Sequence, residues 1–465
     1  MDTGACSATL LQEASDEYAS GMLVDSQSSD VANNNYIKAA KIAPDGSSVL
    51  SASEDTLLRL YALDQEALNA ERERRATAGG SDAKAAALRP WTCAYEGECI
   101  FDFAWYPLFA ADDLSSACFA STSRGHPIHL FNALDGSLRT SYLPYNAFSH
   151  EPETALSLAF HPQGQVLFAG SRSCVKVFDV MRPGTQIEDR LLATRRKAEG
   201  QRGLVSCFAF PTAPSSADEK LYAVGTYSKT VCIYSEEHQG ARQPVCWLED
   251  ADQPMGGVTQ LAWVGDHHVV SGHRQDRCMR LWDLRKPEAV LRRFPRVTTT
   301  CQRFRFDVCV RKGQTVVATG DLSGRVSLFD LNTGETISRF QAHARACTSV
   351  GFHPSANYVV TSSGERLFPS LTHLASRDDQ SAAAAAEDEN MAESESGEDG
   401  SPPAKRQRRS TDGPQPAEGS SAASQPLNCI RVWQIHWGGS EPQEGTTVTA
   451  EKDTADGETG GAACS

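Results

Sequence analysis

Seven short apolar runs, each ending on an aromatic residue, recur along the chain and restrict its fold more than any other feature. Neighbouring endings in the middle of the chain lie 47–56 residues apart, and the first and last gaps of 70 and 104 residues each contain a polar insertion. A period of roughly 40–45 residues with this ending is typical of a WD-type propeller blade. The pattern predicts an all-β fold, a seven-bladed WD-repeat β-propeller. The endings lie at Tyr61, Phe131, Phe178, Tyr234, Trp282, Phe329 and Trp433.

The segments between the endings read as strands joined by tight turns. In the third repeat, residues 155–160 alternate between apolar and polar, residues 161–164 contain Pro and Gly, and two further apolar runs follow at 166–170 and 174–179. Such alternation broken by turn residues is a strand–turn–strand pattern. The last blade of a propeller usually takes one strand from the other end of the chain, and we expect that strand before Tyr36, around residues 18–24.

The polar segments divide the chain into five parts. We predict a mostly disordered N-terminal segment at 1–35, the propeller at 36–375, a disordered insert at 376–426, the last strand at 427–437 and a disordered tail at 438–465. The insert is rich in Ser, Ala, Glu and Asp and has almost no aromatic residue, so it lacks the apolar surface that folding needs. Residues 64–88 are rich in Ala, Glu and Arg and predict a short exposed helix with a solvated charged face.

The charge is unevenly distributed. Residues 1–35, 376–426 and 438–465 carry −6, −6 and −5 of the formal net charge of −15, which leaves +2 on the rest of the chain. The acidic ends therefore conceal a weakly basic propeller that could bind phosphate groups. No stretch reaches the roughly 18 apolar residues of a membrane span, and no signal peptide is recognisable, so we expect a soluble intracellular protein with no membrane partner.

No motif for catalysis or metal binding is recognisable. Nucleophile elbows, zinc-protease motifs, phosphate-binding loops and Cys-x-x-Cys pairs are all missing from the sequence. We therefore expect no enzyme activity, no metal, no cofactor and no small-molecule substrate, and we expect the 14 cysteines to be reduced thiols. Asp55, Asp276 and Asp321 fall in turns between second and third strands, where a carboxylate commonly accepts amide hydrogens, and His343 is expected to have a packing role.

Basic residues recur in the same kind of turn around the predicted ring. If these turns share one face, they form a basic ring on which His126, Tyr145 and Tyr227 can stack unpaired bases of a single strand. The alternative is scattered charge that only keeps the protein soluble. The turn residues are Arg124, Arg172, Lys229, Arg274, Arg325 and Arg366.

A second basic cluster lies within the predicted insert. Lys405, Arg406, Arg408 and Arg409 follow a Ser-rich acidic stretch. Four bases within five residues on an exposed segment fit the acidic groove of a nuclear import receptor, and they can also contact RNA phosphates or remain simply solvated. We predict a nuclear localisation signal here.

Several segments resemble the telomerase Cajal body protein family of WD-repeat proteins. The similarity spans about residues 36–436, and its most specific parts surround Arg124 and Phe368. The segments include Ala43-Pro44-Asp45-Gly46, Phe101 to Tyr106, Ser121 to His129, Trp282-Asp283-Leu284-Arg285, Arg296-Val297-Thr298-Thr299 and Ser362 to Pro369.

The resemblance implies recognition of the Cajal body box, a short loop motif in box H/ACA small Cajal body RNAs, and delivery of those particles to Cajal bodies and telomeres. Its implied partners are small Cajal body RNA, telomerase RNA and H/ACA particle proteins, with a chaperonin for folding, and its implied locations are the nucleus and Cajal body, with the cytoplasm and telomeres as further sites. The family positions matched here are Arg124, Tyr145, Arg274, Arg296, Arg303 and Arg366.

Two readings of function remain open. The first is RNA binding without catalysis, in which the predicted RNA-binding residues are those six together with His126 and Arg172. The second is a protein-only interaction scaffold in a nuclear complex, in which the basic residues only solubilise the propeller. A propeller hydrolase is disfavoured because no acid–base or metal set recurs at one end of the ring.

Overall fold

The described part of the chain forms seven antiparallel sheets arranged as a closed ring. The computed structural model describes residues 7–15, 18, 35–78, 85–146, 149–193, 200–211, 221–236, 243–365 and 428–437. Within these residues, each blade is a four-stranded meander whose first strand lies innermost. First strands of neighbouring blades contact one another from blade 2 to blade 7, the second strand of blade 1 contacts the first strand of blade 2, and the first strand of blade 7 contacts that of blade 1, so the ring is closed. The predicted seven-bladed propeller is confirmed.

Blades 1 to 4 follow one another in chain order. A short parallel strand, β16 (Gly184–Thr185), adds to the edge of blade 2, and β11 (Tyr145–Asn146) with β12 (Glu151–Pro152) forms a small hairpin between blades 2 and 3. The blade strands are β2 (Ile37–Ile42), β3 (Ser48–Ser53), β4 (Leu57–Ala62) and β6 (Pro90–Tyr95); β7 (Ile100–Trp105), β8 (Cys118–Ser123), β9 (Ile128–Asn132) and β10 (Leu138–Leu143); β13 (Ser157–Phe160), β14 (Val166–Gly170), β15 (Cys174–Asp179) and β17 (Glu188–Leu191); and β18 (Val205–Ala209), β19 (Leu221–Thr226), β20 (Val231–Ser235) and β21 (Cys246–Leu248).

Blades 5 to 7 complete the ring, and blade 7 combines both ends of the propeller. Its fourth strand is β1 (Ser7–Ala14), and β5 (Ala86–Ala87) adds to β1 in parallel. The remaining strands are β22 (Gly257–Val264), β23 (His268–Arg274), β24 (Asp276–Asp283) and β25 (Val290–Thr298); β26 (Phe306–Arg311), β27 (Gln314–Gly320), β28 (Arg325–Asp330) and β29 (Thr336–Gln341); and β30 (Cys347–Phe352), β31 (Tyr358–Ser363) and β32 (Ile430–His436).

The aromatic endings that reveal the repeats are core residues. All seven lie towards the end of the third strand of their blade, and none is more than 8% exposed. They pack with apolar side chains of their own and neighbouring sheets. Because each sheet buries its faces against the next sheet, the hydrophobic stabilisation lies between blades and requires the ring to close.

The closing strand comes from the predicted end of the chain but from a different segment. β1 pairs antiparallel with β32 over Ser7 to Ala14, upstream of the predicted residues 18–24, and Glu13 accepts a 2.6 Å hydrogen bond from Arg431. As an edge strand, β1 buries only Leu11 and Ala14, so it shows little alternation in the sequence. Tyr18, which lies outside β1, is also buried. Its hydroxyl lies 2.9 Å from that of Ser51 in blade 1.

The predicted helix between blade 1 strands is present as α1 (Gln65–Ala78). The Asp64 carboxylate accepts the amide hydrogen of Glu66 at 2.9 Å, which caps the first turn. The helix is not fully solvated, because Leu68 is completely buried against the blade 1 and blade 7 core. Glu71 is buried as well, and Asn69 accepts a 2.9 Å hydrogen bond from the Tyr358 hydroxyl, so the expectation of an exposed helix is wrong on the side that faces the blades.

Candidate nucleic-acid interface

The turns between second and third strands lie on one face of the ring. Strands alternate in direction within each meander, so these turns and the connections between blades share one end of every sheet. Backbone hydrogen bonds join the two sets: the amide of Arg124 donates to Cys99 O at 3.0 Å, and the amide of Ser173 donates to Gly203 O at 2.8 Å. We call this end the turn face. The ring places Arg124, Arg172, Lys229, Arg274 and Arg325 on it.

The turn aspartates have the structural role expected of them. Asp55 accepts hydrogen bonds from Arg59 and from the amide of Leu57, and Asp321 accepts the amide hydrogen of Ser323 at 2.8 Å. The imidazole of His343 is 1% exposed and lies 2.7 Å from Thr361 Oγ1. These groups hold the turns and the blade core together and leave no carboxylate in an open catalytic arrangement at these positions.

The side chains of Arg124 and Arg172 differ from those aspartates in having no partner among the described residues. Both side chains are exposed, and neither guanidinium makes a hydrogen bond or ion pair with any residue that the structure describes. Gly125, at φ 71°, turns the chain directly after Arg124, and its amide donates to Thr154 Oγ1 at 3.2 Å. The turn of blade 2 is thereby fixed to the connection that leads into blade 3.

Tyr145 lies in that same connection, between the two arginines along the ring. Its carbonyl oxygen accepts hydrogen bonds from Lys176 Nζ at 2.7 Å and from Gln186 Nε2 at 2.5 Å. Lys176 is itself 2% exposed and also contacts Glu153 and Asp189. The ring of Tyr145 remains half-buried, so a buried ion network positions an aromatic ring at the surface.

His126 is held more tightly. Its Nδ1 donates to the carbonyl oxygen of Glu96 at 3.0 Å, and its ring lies 6.3 Å from that of His129. The side-chain carboxylate of Glu96 is fully buried and accepts hydrogen bonds from Ser123 and His129. His126 therefore lines the blade 2 turn with a fixed ring orientation.

A cation and an aromatic ring stack between blades 4 and 5. The guanidinium carbon of Arg274 lies 4.2 Å from the ring centre of Tyr227. The Tyr227 hydroxyl accepts a 3.0 Å hydrogen bond from Arg303 Nε. One face of Tyr227 is consequently covered by Arg274, and the guanidinium plane itself is the surface offered to a base at this point.

Arg303 lies at the centre of the turn face. It precedes the first strand of blade 6, yet its guanidinium donates to Phe101 O of blade 2 at 3.2 Å and to Ser206 O of blade 4 at 2.6 Å. Its side chain is 16% exposed. This residue bridges three blades across the axis of the ring, so any contact it makes with a ligand also depends on ring closure.

Arg296 occupies a different environment from the other predicted residues. It is 2% exposed, and its guanidinium donates to Phe304 O at 3.2 Å and His273 O at 3.0 Å. Burial lowers the pKa of Arg296 to about 10. The position fits a residue that holds the connection carrying Arg303 rather than one that touches RNA. Arg366 and the basic cluster Lys405, Arg406, Arg408 and Arg409 lie outside the described residues, and their roles stay predictions.

Sequence reasoning missed three cations, one buried and two partly exposed, that lie near this face. Lys176 supports Tyr145, and Lys41 and Arg305 approach the ring axis beside Asp102. Their signal was available, because a lysine in the middle of an apolar strand, as in Val175-Lys176-Val177, must find partners when it is buried. Which partners it finds depends on packing between blades.

Comparison with known proteins agrees with the fold. The family described as WD domain, G-beta repeat matches residues 144–179 and 334–367. Telomerase Cajal body protein 1 of Mus musculus is 35% identical over 349 residues, and the human protein of that name is 35% identical over 345 residues, in each case over 73% of this chain. The Drosophila melanogaster homologue is 30% identical over 274 residues.

The chain spans about 60% of the length of these mammalian relatives, 61% for the mouse protein and 58% for the human one. Among the described residues, the single helix is too short and too polar to cross a membrane. The repeats, the closed ring and the similarity over most of the chain agree, and the chain belongs to the telomerase Cajal body protein family.

Proposed function

We propose that the turn face binds single-stranded RNA, specifically the Cajal body box loop of box H/ACA small Cajal body RNAs, without catalysis. One observation carries the proposal: Arg124 and Arg172 project from neighbouring turns with no protein partner among the described residues, and Tyr145 lies in the connection between their blades. Unpaired guanidinium groups neutralise phosphates, and a surface tyrosine stacks a splayed base. The name of the relatives, telomerase Cajal body protein 1, makes telomerase RNA a second candidate ligand.

The remaining predicted residues extend this surface around the ring. The Arg274–Tyr227 stack offers a planar cation to a base or phosphate, and Arg303 lies between it and the axis. Stacked bases each contribute about 1–3 kcal/mol in single-strand complexes. A loop of a few nucleotides that follows blades 2 to 5 could use two or three stacks together with several phosphate contacts.

The direct test measures fluorescence anisotropy of a guide-RNA hairpin that carries the Cajal body box, with a scrambled-loop hairpin for comparison. The full chain should prefer the box loop, and Arg124→Ala and Arg172→Ala should each weaken binding about tenfold, the cost of one charge-assisted contact. Each variant should also reduce the slope of log affinity against log salt by about 0.7 per lost phosphate contact.

Arg182→Ala is the matched control. Arg182 belongs to blade 3, like Arg172, and its side chain is 85% exposed, but it lies in a turn between third and fourth strands on the opposite face. The Arg182→Ala variant should bind RNA with the same affinity as the unsubstituted protein. Equal binding of both loops, or no binding at low salt, would favour the protein-only scaffold instead.

We further propose that the protein acts in the nucleus and at Cajal bodies, with H/ACA particle proteins as partners of the bound RNA. Alanine substitution of Lys405, Arg406, Arg408 and Arg409 in a fluorescent fusion should shift the protein to the cytoplasm. Arg124→Ala in the same fusion should leave nuclear import intact and disperse the Cajal body signal. Unchanged Cajal body foci in the Arg124 variant would separate localisation from RNA binding and contradict this step.

A further inference from the structure

Three cations and one carboxylate meet near the axis of the ring. Asp102 Oδ1 lies 2.7 Å from Arg305 Nη2, 3.5 Å from Lys41 Nζ and 3.6 Å from Arg303 Nη1. The four side chains come from blades 1, 2 and 6, so only ring closure brings them together. We call this group the axial cluster.

The axial cluster has more positive charge than its own carboxylate can neutralise. Asp102 is shared by all three cations, and the other acceptors of Lys41 and Arg303 are neutral carbonyl and hydroxyl oxygens. Arg305 Nε is buried without an acceptor among the described residues. When Lys41 is protonated, two positive charges are left over in a place where charges interact more strongly than in bulk water.

The excess positive charge contributes to a lowered pKa of Lys41. Burial, the neighbouring Arg305 and, to a lesser extent, Arg303 lower the pKa of Lys41 to about 7, although Asp102 acts in the opposite direction. The side chains are nevertheless reached by solvent, with exposed fractions of 24% for Lys41, 16% for Arg303 and 15% for Arg305. A small anion can therefore approach them.

A second aspartate shows that blade joining does not need these cations. Asp307 makes the same two backbone contacts as Asp102: one carboxylate oxygen accepts the amide hydrogen of the next residue, and the other accepts an amide hydrogen from the first strand of the next blade. For Asp102 that second donor is Leu158, and for Asp307 it is Phe352. Within the part of the chain that the structure describes, Asp307 has no cation partner, and burial raises its pKa to about 6.

We propose that the axial cluster is a binding site for an oxyanion of the phosphate class, held by Lys41, Arg303 and Arg305 beside Asp102. A doubly charged phosphate or sulfate matches the two uncompensated charges and supplies acceptors for the unused donors. The site does not depend on RNA binding at the turn face. Its anion is either free in solution or a backbone phosphate of a bound nucleic acid.

The test titrates the full chain with inorganic phosphate at constant ionic strength, followed by isothermal titration calorimetry and ³¹P NMR. The parent protein should bind phosphate saturably, sulfate should compete, and chloride should not. Lys41→Met and Arg305→Met should each weaken binding about tenfold, while Arg182→Ala should bind as the parent does. Lys41→Arg keeps the charge and should retain binding.

Two results would contradict the proposed site. Absence of saturable binding to the parent chain overturns the proposal and requires no variant, so a folding defect in Lys41→Met or Arg305→Met cannot hide it. Binding that survives in both variants, once circular dichroism shows them folded, places the anion elsewhere and also overturns it. Where the site is established, displacement of phosphate by the guide-RNA hairpin identifies an RNA phosphate as the occupant, and simultaneous binding identifies a free anion.

Discussion

Blades 1 and 5 fix their turns with paired charges, whereas blades 2 and 3 present unpaired arginines at theirs. In blades 1 and 5 a buried arginine of the third strand bonds an aspartate four residues earlier in the turn, as Arg59 does with Asp55 and Arg280 with Asp276. The arginine is structural because its partner is in the same turn. Charge type alone therefore does not reveal which turn residues can bind a ligand.

Blades 2 and 3 place their carboxylates elsewhere. The corresponding third-strand residues are His129 and Lys176, and their partners include Glu96 and Glu153, which belong to the connections between blades. Because the connection supplies the negative charge, the turn does not need an aspartate. The turn position of the aspartate is taken by Arg172 in blade 3 and by Gly125, next to Arg124, in blade 2, which leaves both arginines available for the RNA contacts proposed above.

The largest expected effect comes from breaking a paired turn. Arg280 is fully buried and Asp250 is almost completely buried. Arg280→Met therefore leaves Asp276 without its cation and leaves Asp250 with Arg293 alone. Loss of one partner of a buried pair costs about 3–5 kcal/mol of unfolding free energy. Urea denaturation should show this loss. The control is Arg285→Met, which removes an exposed pair with Asp283 and should cost less than about 1 kcal/mol; equal losses would contradict the contrast.

The ion pairs of Arg280 with Asp250 and Asp276 should also make the free energy of unfolding depend on pH. Burial alone would raise the pKa values of Asp250 and Asp276, but hydrogen bonds, including those from Arg280, hold them below the usual range. Their stabilisation is therefore present above the ordinary aspartate pKa of about 3.9 and is lost as the pH falls below it. Denaturation curves at pH 6 and at successively lower pH should show this loss, and Arg280→Met should flatten it. An unchanged acid slope in that variant would refute the assignment.

An intermediate effect is expected from the cation of blade 3. Lys176→Met removes the hydrogen bond to Tyr145 O and leaves Glu153 and Asp189 without their shared cation, but both acids are 28% exposed and can rehydrate. We expect a loss of about 1–3 kcal/mol, less than for Arg280. Weaker binding of the box-loop hairpin should accompany it because Tyr145 O loses one of its two hydrogen bonds and keeps only that from Gln186. Normal RNA affinity in a destabilised variant would show that Lys176 does not position the interface.

The sequence predicts the regular parts of this comparison and not the irregular ones. The seven aromatic endings predict the blades, and meander topology then places Arg124 and Arg172 on one face. The position of the closing strand could not be predicted correctly from the sequence, because an edge strand such as Ser7–Ala14 buries few side chains. The burial of Arg296 and the meeting of Lys41 with Asp102 and Arg305 depend on contacts between blades, which local periodicity does not encode.

The smallest effect on stability, with a clear effect on binding, is expected from converting one turn into the other type. Arg172 lies four residues before Lys176, the spacing that joins Asp55 to Arg59, so Arg172→Asp gives blade 3 the turn charge of blade 1. The new carboxylate can only share a lysine that Glu153 and Asp189 already contact. The change in unfolding free energy should therefore stay within about 0.5 kcal/mol.

RNA affinity should respond differently, because the aspartate removes an attraction and adds a repulsion towards phosphate. Binding of the box-loop hairpin should fall further in Arg172→Asp than in Arg172→Ala, and the difference should shrink at high salt as screening increases. Parallel urea melts and anisotropy titrations of the two variants measure both quantities. If the aspartate variant instead bound RNA like the alanine variant at low salt, no phosphate would lie near this turn, and the unpaired arginines of blades 2 and 3 would be solubilising charge only.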